Sequence, residues 1–143
     1  MRKEPPDIFI DTNVWFSSFY GSPNCQKLIR AHVEGKIKAV ISRQVLVETV
    51  RNINEKIPHA IYVFEKTLKE APPYIVKDPV RVHKNISRLV SKEDRVIMGA
   101  AISAKVKYFV TGNIADFKKR EILSKFKIEI LTPKQAVDLL GLK

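Results

Sequence analysis

The chain has 143 residues, 45% of them hydrophobic, with 5 Gly and 8 Pro; at that length roughly two thirds of the unfolded surface is buried on folding, so a packed core is expected rather than a linker or disordered tail. Its 26 Lys and Arg against 15 Asp and Glu leave a formal charge of +11, which suits a polyanionic partner or, more simply, a solvated cationic surface. The single cysteine, Cys25, excludes an internal disulfide and fits a reducing cytoplasm, and the isolated His32, His59 and His83 offer it neither a catalytic partner nor zinc-ligand spacing.

Arg2 and Lys3 precede an apolar run that stops after three residues, at Asp11, too short for a signal peptide. Nowhere do roughly 20 apolar residues follow one another, so no bilayer crossing and no membrane partner are expected. Ile8, Phe9 and Ile10 read as a strand buried on both faces. Ser22 as cap, Pro23 in the first turn, the spacing of Leu28, Ile29 and Val33, and Gly35 as stop predict the first helix. Residues 37–41 form a second strand. Ser42 then caps a helix whose stripe is Leu46, Val50, Ile53 and Ile57. Ile61, Phe64 and Leu68 continue a helical period until Pro72 and Pro73 end it, and residues 74–76 form a third strand. Val82, Ile86 and Leu89 predict a helix. Ser91 restarts another that turns Ile97, Ala100, Ala101 and Ala104 inward. Residues 108–110 form the fourth strand, residues 118–126 a helix, and residues 128–131 the last strand. Thr132, Pro133 and Gly141 bracket a terminal helix.

Strands alternating with helices predict right-handed crossovers and a parallel sheet covered on both faces. No repeat, low-complexity tract or linker interrupts residues 1–143, so one domain is expected. Ligands of such sheets sit beyond the carboxyl ends of the strands, where the strand order reverses. Asp11 and the segment from Thr111 occupy that edge.

Each acidic residue there has an ordinary local explanation. Asp11-Thr12-Asn13 fits a helix cap or Asx turn. Asp94 stands three and seven residues before Ile97 and Ala101, on the inward side of its helix, where an unpaired carboxylate is costly; yet Ser91-Lys92-Glu93-Asp94 also reads as a capping box. Glu48, two residues past Leu46, shares a face with Arg51 and Glu55 that solvent would explain. Thr111-Gly112-Asn113 and Asp116 fit a turn and a helix entry.

The combination says more than any one position. Ile8-Phe9-Ile10-Asp11-Thr12-Asn13-Val14 resembles the opening of PIN domains, and Asp94 with its alanine-rich helix and Tyr108-Phe109-Val110-Thr111-Gly112-Asn113 resembles their second half. Glu48 stands where that family's second acidic residue belongs. Ser17, Ser18 and Pro23 add similarity to the PIN toxins of toxin-antitoxin pairs. The likeness covers the chain in element order. It implies a three-layer α/β/α sandwich around a central, mostly parallel five-stranded sheet, and a ribonuclease that gathers Mg²⁺ or Mn²⁺ on Asp11, Glu48, Asp94 and Asp116. Thr12, Asn13, Thr111 and Asn113 would be auxiliary. Many family members carry Asp where this chain has Asn113, so Asp116 takes the fourth acidic role. An antitoxin partner and a homodimer follow from the same resemblance. The alternative is a PIN scaffold that holds RNA or a protein without cleaving it. A phosphatase on another doubly wound fold is disfavoured, because Asp-Thr-Asn lacks the paired aspartates of phosphoaspartate chemistry.

Overall fold

A computed structural model describes residues 4–143; Arg2 and Lys3, weighed above as the basic end of a leader, lie outside the described residues. Five strands, β1 (Asp7–Ile10), β2 (Lys38–Ser42), β3 (Tyr74–Val76), β4 (Tyr108–Val110) and β5 (Glu129–Leu131), form one sheet in the order β3-β2-β1-β4-β5. Every pairing is parallel, where a mostly parallel sheet was expected. Ile8, Phe9 and Ile10 are fully buried because β1 is the middle strand and has a neighbour on each side. The register sets Phe9 opposite Phe109, and their rings stack at 5.1 Å.

Among the described residues eight α-helices follow in chain order: α1 (Thr12–Ser18), α2 (Pro23–Val33), α3 (Arg43–Lys56), α4 (Ile61–Glu70), α5 (Lys84–Ser87), α6 (Arg95–Ser103), α7 (Lys119–Phe126) and α8 (Pro133–Leu140). Crossovers from β1 to β2 to β3 run one way along the sheet, and those leading to β4 and β5 run the other. Right-handedness therefore sets α1 to α4 on one face and α5 to α7 on the opposite face, and α8 packs beside α2 on the first. These are the three layers anticipated from sequence. Among the described residues no helix is long and apolar enough to cross a membrane.

The caps are those that local chemistry dictates. Ser22 accepts from the Cys25 amide and Ser42 from the Val45 amide. Thr132 and Gln135 form a reciprocal capping box, and Gly141 ends α8 in the left-handed region at φ 63°. Elsewhere the expectations shift. The inward face of α3 is Val45, Thr49 and Ile53, and Ile57 behind it is buried too; Ile53 and Ile57 of the expected stripe hold, whereas Leu46 and Val50 are only partly covered and Thr49, whose hydroxyl is satisfied by donating to the Val45 carbonyl at 2.7 Å, is buried instead. The segment from Ser91 begins as a short 3₁₀ turn, Lys92–Asp94, before α6, and the helix around Ile86 is only Lys84–Ser87. Helix α1 went unpredicted: seven residues with Val, Trp and Phe near its centre carry little helical signature.

Cys25 is buried, as expected of a small apolar residue. His32 is a structural staple. Its Nδ1 accepts from the Ala39 amide at 3.1 Å, so Nε2 is left to donate to the Ala71 carbonyl at 2.8 Å. Burial pushes the imidazole pKa down, consistent with the neutral ring that this pairing needs.

Candidate active site

The strand order reverses between β1 and β4, so the residues that leave their carboxyl ends emerge side by side. The Asp11 amide donates to the Val110 carbonyl at 3.0 Å. Asp11 then caps α1, accepting from the Thr12 amide at 2.8 Å on one carboxylate oxygen and from the Thr111 hydroxyl at 2.9 Å on the other. The local capping role and the site role thus coexist in one side chain. Asn13 closes the same junction: its Oδ1 accepts from the Gly112 amide at 2.8 Å. A Cβ on Gly112 would stand 3.2 Å from that oxygen, so the close approach favours glycine.

Glu48 arrives from α3. Its Oε2 accepts from the Thr12 hydroxyl at 2.9 Å, and its Oε1 from the Gln44 side-chain amide at 3.0 Å. Asp94 arrives from the turn before α6, and its Oδ2 accepts from the Ser91 hydroxyl at 2.6 Å. The capping box expected at Ser91 does not form, because that hydroxyl serves the Asp94 carboxylate rather than a backbone amide. Three carboxylates from three separate elements are therefore each anchored by a hydroxyl: Thr111 for Asp11, Thr12 for Glu48, Ser91 for Asp94.

Asp11, Thr12, Asn13, Glu48, Asp94 and Asn113 all line one open cavity of about 320 Å³. Thr111 is fully buried and serves the site through Asp11. Asp116 is placed differently. It is exposed at the end of the 3₁₀ turn Ile114–Asp116 and does not line the cavity; it acts on Asp94 only through space, as a like charge. Glu93, Asn52, Lys56, Phe16, Ser17 and Ile97 complete the wall, and none of them stood among the site candidates drawn from sequence. Glu48, Asn52 and Lys56 recur every four residues, one polar row along α3, and that row was the available signal. Reading Glu48 with Arg51 and Glu55 obscured it.

The electrostatics of this cavity are unfavourable for anions. Asp11 is only 5% exposed, and burial raises its pKa from 3.8 to about 6, against the lowering effect of the Thr12 and Thr111 hydrogen bonds; Asp94 and Glu48 push it further up. Burial likewise raises Asp94, opposed by Ser91 and reinforced by Asp116, Glu93 and Glu48. At an effective dielectric near 20, two carboxylates about 4 Å apart repel by roughly 4 kcal/mol. A cluster with only oxygen donors and raised pKa values fits a small hard cation such as Mg²⁺ or Mn²⁺. The cage is not preformed: among the described residues no three carboxylate, imidazole or thiol groups stand close enough together to hold an ion.

Removing the Thr111 hydroxyl tests this arrangement. Thr111→Val should raise the Asp11 pKa above about 6, because the hydroxyl that donates to the carboxylate is gone. The variant should also lose on the order of 1–3 kcal/mol of stability, since the Asn113 amide, which donates to the same hydroxyl at 3.1 Å, loses its acceptor. An NMR titration of the Asp11 carboxyl beside thermal unfolding measures both effects.

The comparisons with known proteins fall on the same elements. A family model described as PIN domain matches residues 7–115. No curated protein sequence matches the chain. Among solved structures, VapBC2 from Rickettsia felis bound to a DNA fragment from their promoter is 14% identical with a TM-score of 0.61, covering 87% of this chain and 98% of its own. Mycobacterium tuberculosis VapC20, described as a sarcin-ricin loop cleaving toxin, is 14% identical with a TM-score of 0.53, covering 85% of this chain and 98% of its own. At such identity the two structures speak to the fold. The family match runs from β1 through the turn after β4 and so spans the elements that build the cavity: the chain belongs to the PIN domain family.

Proposed function

We propose that this protein is a metal-dependent endoribonuclease that hydrolyses RNA phosphodiesters at the cavity around Asp11, and that it is the toxin of a toxin-antitoxin pair. The observation that carries the reading is the convergence of Asp11, Glu48 and Asp94 on one cavity from three elements, with Asp11 and Asp94 both raised in pKa. Family membership supports the nuclease class. The Mycobacterium tuberculosis neighbour, named as a sarcin-ricin loop cleaving toxin, and the Rickettsia felis VapBC2 assembly support the toxin reading, with a small antitoxin covering the site and a homodimer as further proposals. A single domain spanning residues 1–143 and a cytoplasmic setting belong to the same reading.

Asp11 and Asp94 would hold the cation most directly, with Glu48 and Asp116 assisting from farther out. The ion, when bound, supplies charge neutralisation for the phosphate and lowers the pKa of water. The chain's own groups do the rest. Thr111 and the Thr12 amide hold the Asp11 carboxylate in one orientation, and the Thr12 hydroxyl does the same for Glu48. Among the described residues the only ion pair is Lys36 with Glu34, at 3.4 Å, so the excess of cations remains available to draw in a polyanion. Association with RNA should weaken with salt as counterions are released.

Single-stranded and structured RNA incubated with Mg²⁺ or Mn²⁺ provides the test, with Asp94→Asn as the control. Cleavage is expected from the wild type and should fall by about 10²–10³-fold in the variant, as loss of several kcal/mol of charge stabilisation requires. Undiminished cleavage by Asp94→Asn would refute this site. One observation favours a second reading: Asn113, a neutral oxygen donor, lines the cavity where Asp116 does not. A scaffold that binds RNA or a protein without turnover would retain metal affinity in a Mn²⁺ titration and cleave no RNA.

A further inference from the structure

The cavity has two chemically different ends, joined by the same pair of helices. At one end the Thr12 hydroxyl of α1 meets the Glu48 carboxylate of α3. At the other, Lys56 of α3 stands over the Phe16 ring of α1, with Nζ 5.5 Å from the ring centroid. Glu48 and Lys56 are eight residues apart, about 12 Å along a helix that rises 1.5 Å per residue. Both Phe16 and Lys56 line the cavity. Lys56 makes no ion pair among the described residues.

The Phe16 ring continues outward. Tyr20 stacks on it, with centroids 5.8 Å apart and the planes inclined by 23°, and Tyr20 itself is 70% exposed. An aromatic ring left this exposed contributes little to a core. A two-ring stack whose inner ring, Phe16, lines the cavity beside Lys56 has the composition by which proteins take unpaired nucleotides: a cation for the backbone and π faces for the bases.

We propose that Lys56, Phe16 and Tyr20 form a subsite for an unpaired nucleotide flanking the scissile phosphodiester, in which Lys56 takes the flanking phosphate and the Phe16–Tyr20 stack receives its base. The subsite rests on the nuclease reading for its orientation, because the carboxylate end of the cavity is where the scissile group would lie. It makes single-stranded or looped RNA the substrate class. A base locked in a duplex cannot present its face to Tyr20, and stacking of this kind tolerates any base. Lys56, Phe16 and Tyr20 are positioning residues for substrate, with no part in the chemical step.

The test is fluorescence anisotropy of a labelled single-stranded oligoribonucleotide and of its duplex, in EDTA, with wild type, Tyr20→Ala and Lys56→Gln. Both side chains are exposed, and thermal unfolding verifies that the variants fold. Tyr20→Ala should weaken single-strand binding about tenfold and leave duplex binding nearly unchanged. Lys56→Gln should lower the slope of log affinity against log salt by about one for the single strand. With Mg²⁺ or Mn²⁺ present, both losses should fall mainly on KM. Single-strand affinity equal to wild type in both variants, or equal losses on duplex and single strand, overturns the proposal. The two readings fail separately: wild-type cleavage with unaltered variants sinks the subsite alone, whereas the expected binding differences without cleavage by any form sink the nuclease and leave the subsite. A wild type that binds no RNA sinks both.

Discussion

Asp11→Asn is expected to reduce RNA cleavage by about 10³-fold while making the cation-free protein more heat-stable at pH 8. The activity loss follows from removing the best-buried anion of the cavity, since several kcal/mol of charge stabilisation corresponds to that factor. The stability gain follows from linkage. The Asp11 pKa is about 6 in the fold against 3.8 ordinarily, so the folded state binds this proton more tightly than the unfolded chain. The stabilisation is whole below about pH 4 and is lost as pH rises through about 6. Two pH units at 1.36 kcal/mol each amount to on the order of 3 kcal/mol.

Asn does not ionise and escapes that loss. Its side-chain oxygen can still accept from the Thr12 amide, as one Asp11 oxygen does at 2.8 Å. The stability difference between Asp11→Asn and wild type should therefore widen from pH 5 to pH 8. Mn²⁺ should narrow it by stabilising the wild type alone, since a ligand that binds only the folded state raises its stability. Thermal unfolding at several pH values, with and without Mn²⁺, measures this. A difference that stays flat with pH would mean that Asp11 is not a buried, strained anion.

Trp15→Ala should be the most damaging single core change, costing on the order of 3–5 kcal/mol. Trp15 is fully buried, meets the Phe64 ring edge-on at 6.0 Å, and donates from Nε1 to the Ile10 carbonyl at 3.0 Å. That last bond ties α1 back to the strand that delivers Asp11. The substitution should thus lower the unfolding temperature and loosen the Asp11 to Asn13 junction together. Trp15→Phe separates the effects, because it keeps an aromatic ring in the core and loses the hydrogen bond together with the volume of the missing ring, about 1–2 kcal/mol. Denaturant unfolding gives the stability, and kcat/KM at a temperature where both variants are folded gives the effect on the site. A Trp15→Ala protein within 1 kcal/mol of wild type would show that α1 is held by other contacts.

Much of the architecture was legible in the chain because it depends on local chemistry. The three-residue apolar runs 8–10 and 108–110 became β1 and β4, the adjacent strands at the site, since a parallel strand buried on both faces needs no alternation. Ser22, Ser42, Thr132 and Gly141 marked helix ends through hydrogen bonds that reach only three residues. The site was legible in part. Asp11 and Asp94 could be singled out from their neighbours, but Glu93 and Lys56 could not, because their role depends on which face of α3 and of the turn before α6 meets the cavity. Asp116 and Asn113 show the same limit: three residues apart in one loop, they are indistinguishable by spacing, and only the path of the turn puts Asn113 on the cavity wall and Asp116 outside it.

By itself the sequence determined the alternation of strands and helices, the caps, the burial of β1 and the cationic excess, because each of these is a property of adjacent residues or of their sum. The tertiary structure alone decided that Asp11, Glu48 and Asp94 share one cavity and that the α3 row from Glu48 to Lys56 faces it. The physical reason is distance along the chain. Bringing carboxylates 37 and 46 residues apart into one pocket opposes their own repulsion, and only the packing of a sheet whose strand order reverses between β1 and β4 supplies the energy to hold them there.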